Sequence, residues 1–487
     1  MSIETELKLG IQPSDLQRLK RHPFLRSLSS GRAQVKKLYS IYYDTQDLAL
    51  QRHACALRLR RVGKQWLQTL KGGGQVSAGL HQRNEWEMPV VAQRLDLAAL
   101  EAAGGRLPPG VHHHLQPVFV TAFTRSVRLL SFEGAQIELC LDSGEVSAGK
   151  GVHPISELEL ELISGPAQSL FKLALHLMDI VPLRVEHTSK AEYGYRLCSA
   201  AAPVPSKARL PRLSVRQDAA SAMLENIAAC LTHIQDNVPG ALLGHDAEYL
   251  HQVRVGLRRL RVALMLASRL HADDAELADL SRQVSALCVM LGQARDWDVL
   301  VTRTLPRLPA DEVGNLLQAA QHVRREQQAQ AVAQLAAADF QRLLLRLGCW
   351  MQGNMWPVGI GVEAFARNLL DKRRRRLKMA GAVLHGDDAA SLHALRIACK
   401  KMRYMLELFG GLLPDCAESL QALIRLQELL GEMNDLSVAR QLLERLDNRA
   451  RHATLARIHE WIVHDHAQLA KGVDQAWQRY AAQKKCW

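Results

Sequence analysis

Glu4, Glu6 and Lys8 stand at alternate positions within the first nine residues, and the same alternation of charge recurs in segment after segment behind them. Arg58 and Arg60 share one side of the stretch Ala56 to Val62, and Lys71 closes the next run. Arg83, Glu85 and Glu87 follow, then Arg125, then Glu138 and Asp142, then Glu157, Glu159 and Glu161. Arg and Lys at this density can cradle phosphate oxygens, Arg through paired hydrogen bonds and Lys as a point charge. A carboxylate meets a phosphate only through a cation, so Glu pairs in the same place would hold a hard divalent ion by oxygen ligation. Together these groups suit a phosphate-bearing ligand and the cation that accompanies it. No Ser-His-Asp arrangement, phosphate-binding glycine loop or HExxH pattern competes for the role.

Charges at i and i+2 share a face only on a strand. From residue 1 to about 200 the apolar residues do alternate with polar ones, as in Ile3 to Leu9 and Leu158 to Leu162, with Gly-rich breaks at Gly72-Gly73-Gly74 and Gly104-Gly105. Helical spacing is confined mainly to Leu95–Ala103 and Ala167–Met178, so this part reads as α+β with β dominant. A sheet with a solvated outer face would also carry charges on one side. Their repetition on every strand favours a closed barrel with a polar lumen and apolar faces packed outward under helices.

The series Glu4-x-Glu6-x-Lys8, Leu-Arg58-Leu-Arg60, Thr-Leu-Lys71, the Arg83/Glu85/Glu87 strand, Thr-Arg125, Leu-Asp142, the Glu157/Glu159/Glu161 strand and Ser189-Lys190 resembles the CYTH domain, also called the triphosphate tunnel metalloenzymes. The resemblance runs over residues 3 to 190. It implies an eight-stranded antiparallel tunnel, with Lys8, Arg58, Arg60, Lys71, Arg83, Arg125 and Lys190 on phosphate. Glu4, Glu6, Asp142, Glu157, Glu159 and Glu161 would serve a divalent metal, Mg²⁺ first and Mn²⁺ as the alternative, and Lys8, Glu4 and Glu6 the chemistry. The family shows two conspicuous carboxylates on the last acidic strand where this chain offers three, so Glu159 and Glu161 are favoured and Glu157 is retained. Ser189 and Arg128 read as structural. Inorganic triphosphate is the implied substrate; thiamine triphosphate, RNA 5′ ends and the cyclase reaction of the same family stay open, as does a barrel that only senses phosphate.

Beyond residue 216 the period changes to three and four, as in Val253, Leu257, Leu260 and Leu264, and the stretch reads as wholly helical. Ala200 to Pro211, with three prolines, has the composition of an exposed linker. The expected organisation is 1–200, a linker 201–215, and a helical domain 216–487. That domain repeats itself: HQVRVGLRRLR from His251 returns as HALRIACKKMR from His393, and LGQARDWDVL from Leu291 as LGEMNDLSVA from Leu430. Two matched elements at nearly one offset indicate a duplicated bundle. Each copy sets cations on one helical stripe, His251, Arg254, Arg258 and Arg261 in the first and His393, Arg396, Lys400 and Arg403 in the second, with Lys401, Arg259 and Tyr404 beside them. Asp296 and Asp298, matched with Asn434 and Asp435, are expected to pair with Arg or cap helices. HxxRxxxRRLR followed by HxxRxxxKKxRY resembles the CHAD domain, which implies a helical bundle that binds inorganic polyphosphate and associates with polyphosphate granules.

Bulk properties agree with an anionic partner: 62 Lys and Arg against 49 Asp and Glu, net +13. Aromatic residues at 5% leave little for base stacking, which disfavours nucleic acid. Nine cysteines stand singly with no CxxC pair, the first residues lack the basic and apolar regions of a signal peptide, and no apolar run spans a bilayer, so a cytoplasmic, membrane-free protein is expected. The run Lys372-Arg373-Arg374-Arg375-Arg376-Leu377-Lys378 reads as a solvated helix face or as part of the polyanion surface.

Overall fold

The computed structural model describes all residues except 1, 200–202, 245, 309, 354, 355, 357, 358, 385–387, 414, 415 and 447–451. The chain forms two compact units, Met1–Pro205 with Ala336–Asn354, and Ser206–Leu335 with Met355–Trp487.

The first unit is built on strands β1 (Ser2–Ile11), β2 (Gln34–Asp44), β3 (Cys55–Val62), β4 (Gln65–Ser77), β5 (Leu80–Val90), β6 (Gln116–Phe132), β7 (Ala135–Ala148), β8 (Gly151–Ser164) and β9 (Leu183–Val185). The first eight pair antiparallel in the order β5-β4-β3-β2-β6-β7-β8-β1, and β1 pairs again with β5, so the sheet closes on itself. The three-residue β9 is an annex on the end of β1, where Leu9 faces Val185. Alternation sorts the side chains: Leu7, Leu9, Ile137, Leu139, Leu158 and Leu160 are buried outside the barrel, and the charged positions between them face the lumen. The Gly72–Gly74 triplet does not end a strand as its composition suggests. It is a bulge within β4, where Gly74 has φ +116° and a Cβ would lie 2.0 Å from the Gln82 carbonyl oxygen, a position only glycine fills.

Helices α1 (Pro13–Arg21), α2 (Pro23–Ser27), α3 (Ala49–Arg52), α4 (Leu97–Ala102), α5 (Gln168–Met178) and α6 (Lys190–Cys198) flank the barrel. Of these, α4 and α5 fall where helical spacing places them. Helix α5 lies along β1 and β8 with Leu170, Phe171, Leu173 and Leu177 fully buried. Helix α6 lies against β6, β7 and β8, and a reciprocal Ser189–Glu192 capping box starts it, so Ser189 has the structural role expected of it.

The second unit holds α7 (Ala219–Leu243), α8 (Ala247–Ala267), α9 (Ala275–Val299) and α10 (Ala310–Ala336), followed after an interruption by α12 (Val362–Ala382), α13 (Ala389–Leu408), α14 (Ala417–Arg445) and α15 (His452–Ala481). The interruption is α11 (Ala338–Gly353). It packs on α5 and β9: Gly348 meets the Phe171 ring, and the Gln341 side chain accepts a hydrogen bond of 2.9 Å from the Val185 backbone N–H. One unbroken helical domain over 216–487 is therefore corrected, because α11 has the same period as its neighbours and only tertiary packing assigns it to the barrel.

The linker also differs from expectation. Residues 201 and 202 lie outside the described ones, but Ser206 donates to Asn237 (3.0 Å), the Ser206 carbonyl oxygen meets His233 (3.1 Å), and Leu213 is buried in the helical core. The segment from 206 onward is thus part of the second unit. Cys416 and Cys486 form a disulfide with their Cα atoms 5.2 Å apart, and the other seven cysteines are free. A partner 70 residues away leaves no local spacing signal, and the sequence shows these cysteines singly.

Candidate functional site

A cavity of about 350 Å³ occupies the barrel lumen. Glu4, Glu6, Lys8, Arg58, Arg60, Lys71, Arg83, Arg125, Glu159, Glu161 and Lys190 all line it, so eleven of the site residues expected from sequence converge on one space. Asp142 and Glu157 lie just behind, fully or almost fully buried.

Two kinds of acid occupy the lumen. Asp142, Glu157 and Glu159 bring carboxylate oxygens within 4.8 Å of one another, a grouping able to hold a metal ion. In this structure the Lys190 ammonium lies among them, 2.7 Å from Asp142 and 2.9 Å from Glu159 and in contact with Glu157. Lys190 is the first residue of α6, where the helix dipole disfavours a cation, and the three carboxylates more than offset this, raising its pKa against the pull of burial. Arg125 grips Asp142 with two parallel hydrogen bonds (2.8 and 2.6 Å) and also reaches Glu159. Lys8 bridges Glu159 and Glu6 (3.1 Å). Burial opposes the Lys8 charge, yet Glu159 and Glu6 outweigh it and hold the ammonium protonated.

The second group is short of positive charge. Glu6 on β1 stands directly opposite Glu161 on β8, and Glu161 directly opposite Glu138 on β7, which puts three carboxylates in one row across adjacent strands. Glu4 lies two positions along β1 on the same face, paired with Lys71. Among the described residues, neither Glu138 nor Glu161 makes an ion pair. Burial, and then the charges of Glu4, Glu6 and Glu138, push Glu161 up to about 7. A divalent cation suits this donor set, since it supplies what the row lacks and takes oxygen ligands from several carboxylates at once.

Across the lumen the imbalance is reversed. Arg60 has no acidic partner among the described residues, only the Ser40 hydroxyl at 3.2 Å, and burial together with Arg58 and Arg125 pulls it down to about 10. Arg58 has one distant partner, Glu85 at 3.8 Å, and donates to the Tyr42 hydroxyl at 3.5 Å. Arg83 reaches Glu192 at 3.9 Å, and Lys71 lies 3.4 Å from Glu85. Three lining residues have roles that sequence reading did not assign: Tyr42, Lys36 and Glu138. The signal was present for Lys36 and Tyr42, which share a face of β2 with Ser40. Glu138 carries the same alternation, and the β7–β8 pairing alone sets it against Glu161.

In the second unit α8 and α13 bring the two basic stripes together: Arg258 acts electrostatically on Arg396 and Lys400, and Arg261 on Lys400. Arg254, Arg258, Arg396 and Lys400 are half-buried. Arg254 Nη1, Arg258 Nε, Arg396 Nε and His251 Nδ1 are buried and find no hydrogen-bond partner among the described residues. Burial and then Arg396 and Arg258 lower Lys400 to about 8, and burial and then Arg295 lower His251 to about 4, leaving its imidazole neutral at physiological pH. Asp296 and Asp435, one from each repeat, are the acids that face this cluster. Asp298 pairs with Arg295 (2.5 Å) and Arg324 (2.7 Å). His393, Arg261 and Lys401 are exposed at the edge, and Arg403 is tied to Glu407 at 2.7 Å.

Residues 2–195 match the model of the CYTH domain, and residues 225–444 that of the CHAD domain. Over 203 residues the chain is 35% identical to an inorganic triphosphatase of Haemophilus influenzae, covering 40% of this chain and 55% of that protein, so it spans little more than half the length of this curated relative. The crystal structure of the CHAD domain from the plant Ricinus communis is similar at 32% identity, over 58% of this chain and 98% of that one, with a TM-score of 0.52. The chain belongs to the CHAD family and carries a CYTH domain ahead of its helical unit. No described helix is long and apolar enough to cross a membrane.

Proposed function

We propose that the barrel hydrolyses a short phosphoanhydride, with inorganic triphosphate as its substrate, and that the helical unit binds inorganic polyphosphate. The observation that carries the first half is the polarity of the lumen: Arg60 is under-neutralised at one pole, and Glu161 and Glu138 at the other. A phosphate chain complexed with a divalent cation supplies both missing charges. The name of the Haemophilus influenzae relative supports the same substrate.

In this reading Arg58, Arg60, Lys71, Arg83 and Arg125 orient the phosphate oxygens. Glu4, Glu6 and Glu161, with Glu159 beside them, would hold Mg²⁺ or Mn²⁺. Such an ion, when bound, neutralises phosphate charge and acidifies water. Lys8 is fixed between Glu6 and Glu159 and kept charged, so it donates hydrogen bonds to the phosphoryl group and does not act as a base. Asp142, Glu157 and Lys190 form a buried clamp that sets the lumen's shape. For polyphosphate, Arg254, Arg258 and Arg396 offer half-buried guanidinium groups with unused donors, with the half-buried Lys400 beside them, and a phosphate chain satisfies them along its length.

The test is phosphate release by the full chain from inorganic triphosphate, long-chain polyphosphate, ATP and thiamine triphosphate, with Mg²⁺ or EDTA and with Glu4→Gln as control. Metal-dependent release preferring triphosphate and lost in the variant supports the proposal. Absence of release from every substrate, with salt-sensitive polyphosphate binding retained, would reduce the protein to a polyphosphate binder, as on a granule.

A further inference from the structure

Helix α12 carries the densest cationic run of the chain, and its faces have different surroundings. On one face Asp371 pairs with Lys485 (2.7 Å) and accepts a hydrogen bond from the Trp487 indole N–H (2.9 Å), while Arg374 donates to the Gln483 carbonyl. The C-terminal segment, tied down by the Cys416–Cys486 disulfide, covers that face. The other face opens on a cavity of about 400 Å³, within the range of small-ligand sites.

Arg269, Lys372, Arg373 and Arg376 line this cavity together with Leu266, Phe365, Leu369 and the Asn368 amide, and no carboxylate does. Among the described residues none of the four cations makes an ion pair. The acids of the same helix are engaged elsewhere, Glu363 with Arg367 at 2.8 Å and Asp371 with the C-terminal segment. Arg373, half-buried, is pulled below its ordinary pKa by burial and then by Arg376 and Arg269, the mark of a cluster that repels itself.

The two halves of the lining constrain what could relieve that repulsion. An inorganic phosphate chain would satisfy the cations and make no use of the half-buried Phe365 and Leu369. A lipid surface would not enter a concave site of this size. An acyl chain would leave the four cations of the lining unneutralised. A phosphate ester with a flat, partly apolar body matches every part: phosphate on the guanidinium groups, a ring against Phe365 and Leu369, and a polar ring edge at Asn368. We propose that this cavity binds a nucleotide, independently of the barrel and of the paired basic stripes.

The test uses the full chain with Arg58→Ala and Arg60→Ala, which weaken phosphate binding in the barrel, and follows the fluorescence of ribose-labelled N-methylanthraniloyl-ADP. Saturable binding is expected, with unlabelled ADP displacing the probe at least about tenfold better than pyrophosphate or adenosine, since each of these keeps only half of the contacts. Adding Arg376→Ala, an exposed position that leaves the core intact, weakens ADP binding by about tenfold. Phe365→Leu weakens ADP while leaving long-chain polyphosphate affinity unchanged, and thermal melts confirm that both variants fold. Lack of saturable binding overturns the proposal. So does pyrophosphate competing as well as ADP, which marks a bare polyanion surface, or phosphatidylglycerol vesicles binding where ADP does not.

Discussion

The barrel lumen and the paired stripes of α8 and α13 are both rich in Arg and Lys, yet they handle charge in opposite ways. In the lumen most cations have an acid nearby: Lys190 among Asp142, Glu157 and Glu159, Arg125 on Asp142 and Glu159, Lys71 on Glu4. The exceptions, Arg60 on one side and Glu138 with Glu161 on the other, mark where a ligand's own charges belong. On the stripes the acids that act on the half-buried cations are Asp296 and Asp435 among the described residues, and the surplus at their centre is positive. An enclosed site with balanced, pre-oriented charge suits a short ligand whose reacting bond must be placed. An open site with unbalanced positive charge suits a polymer held by its backbone, without demand for register.

The largest effect belongs to the buried clamp. Lys190→Met leaves buried Glu157 without its cation and takes one of the cations from Asp142 and Glu159, and is expected to cost about 3–5 kcal/mol, read as a fall in the barrel's melting temperature at neutral pH. A melt unchanged by this substitution would show that the clamp is solvated. Next comes Arg58→Ala, expected to lower kcat for triphosphate by roughly 10²–10³-fold, about 2.7–4 kcal/mol, with polyphosphate affinity unaltered. Loss of both together would erase the division between the two regions.

Salt sharpens the comparison further. Polyphosphate affinity should fall steeply with ionic strength, and Arg396→Ala should reduce the log–log slope by about 0.7–0.9. The KM for triphosphate in the enclosed lumen should respond less. A slope untouched by Arg396→Ala would move the polymer to another surface.

The smallest effect is in pH. Lys400, lowered to about 8 from its ordinary 10.5, is charged below pH 8 and must take up a proton on binding a polyanion above it. Polyphosphate affinity therefore falls as pH rises through 8, and calorimetry at pH 8.5 in buffers of different ionisation enthalpy should register proton uptake that Lys400→Arg abolishes. The same shift carries the opposite sign for folding. The folded state binds this proton less tightly than the unfolded chain, so Lys400's unfavourable contribution is relieved as pH rises from about 8 to 10.5.

Alternation of period two by itself determined the barrel's strands and which residues face the lumen, because a strand has only two faces and one of them must be apolar. The three-to-four spacing and the 251/393 echo likewise determined a duplicated helical unit with one basic stripe per repeat. Tertiary structure decided the rest, for reasons that lie in register and packing. The sequence shows Glu138 and Glu161 as two acids on separate strands; only the β7–β8 register sets them opposite each other. Lys190 is a lone lysine until α6 turns it toward Asp142, Glu157 and Glu159. Helix α11 has the same pattern as its neighbours and joins the barrel because Phe171 and Val185 are there to receive it. Cys416 finds Cys486, and the cations of α12 find Arg269, across distances along the chain that no local periodicity records.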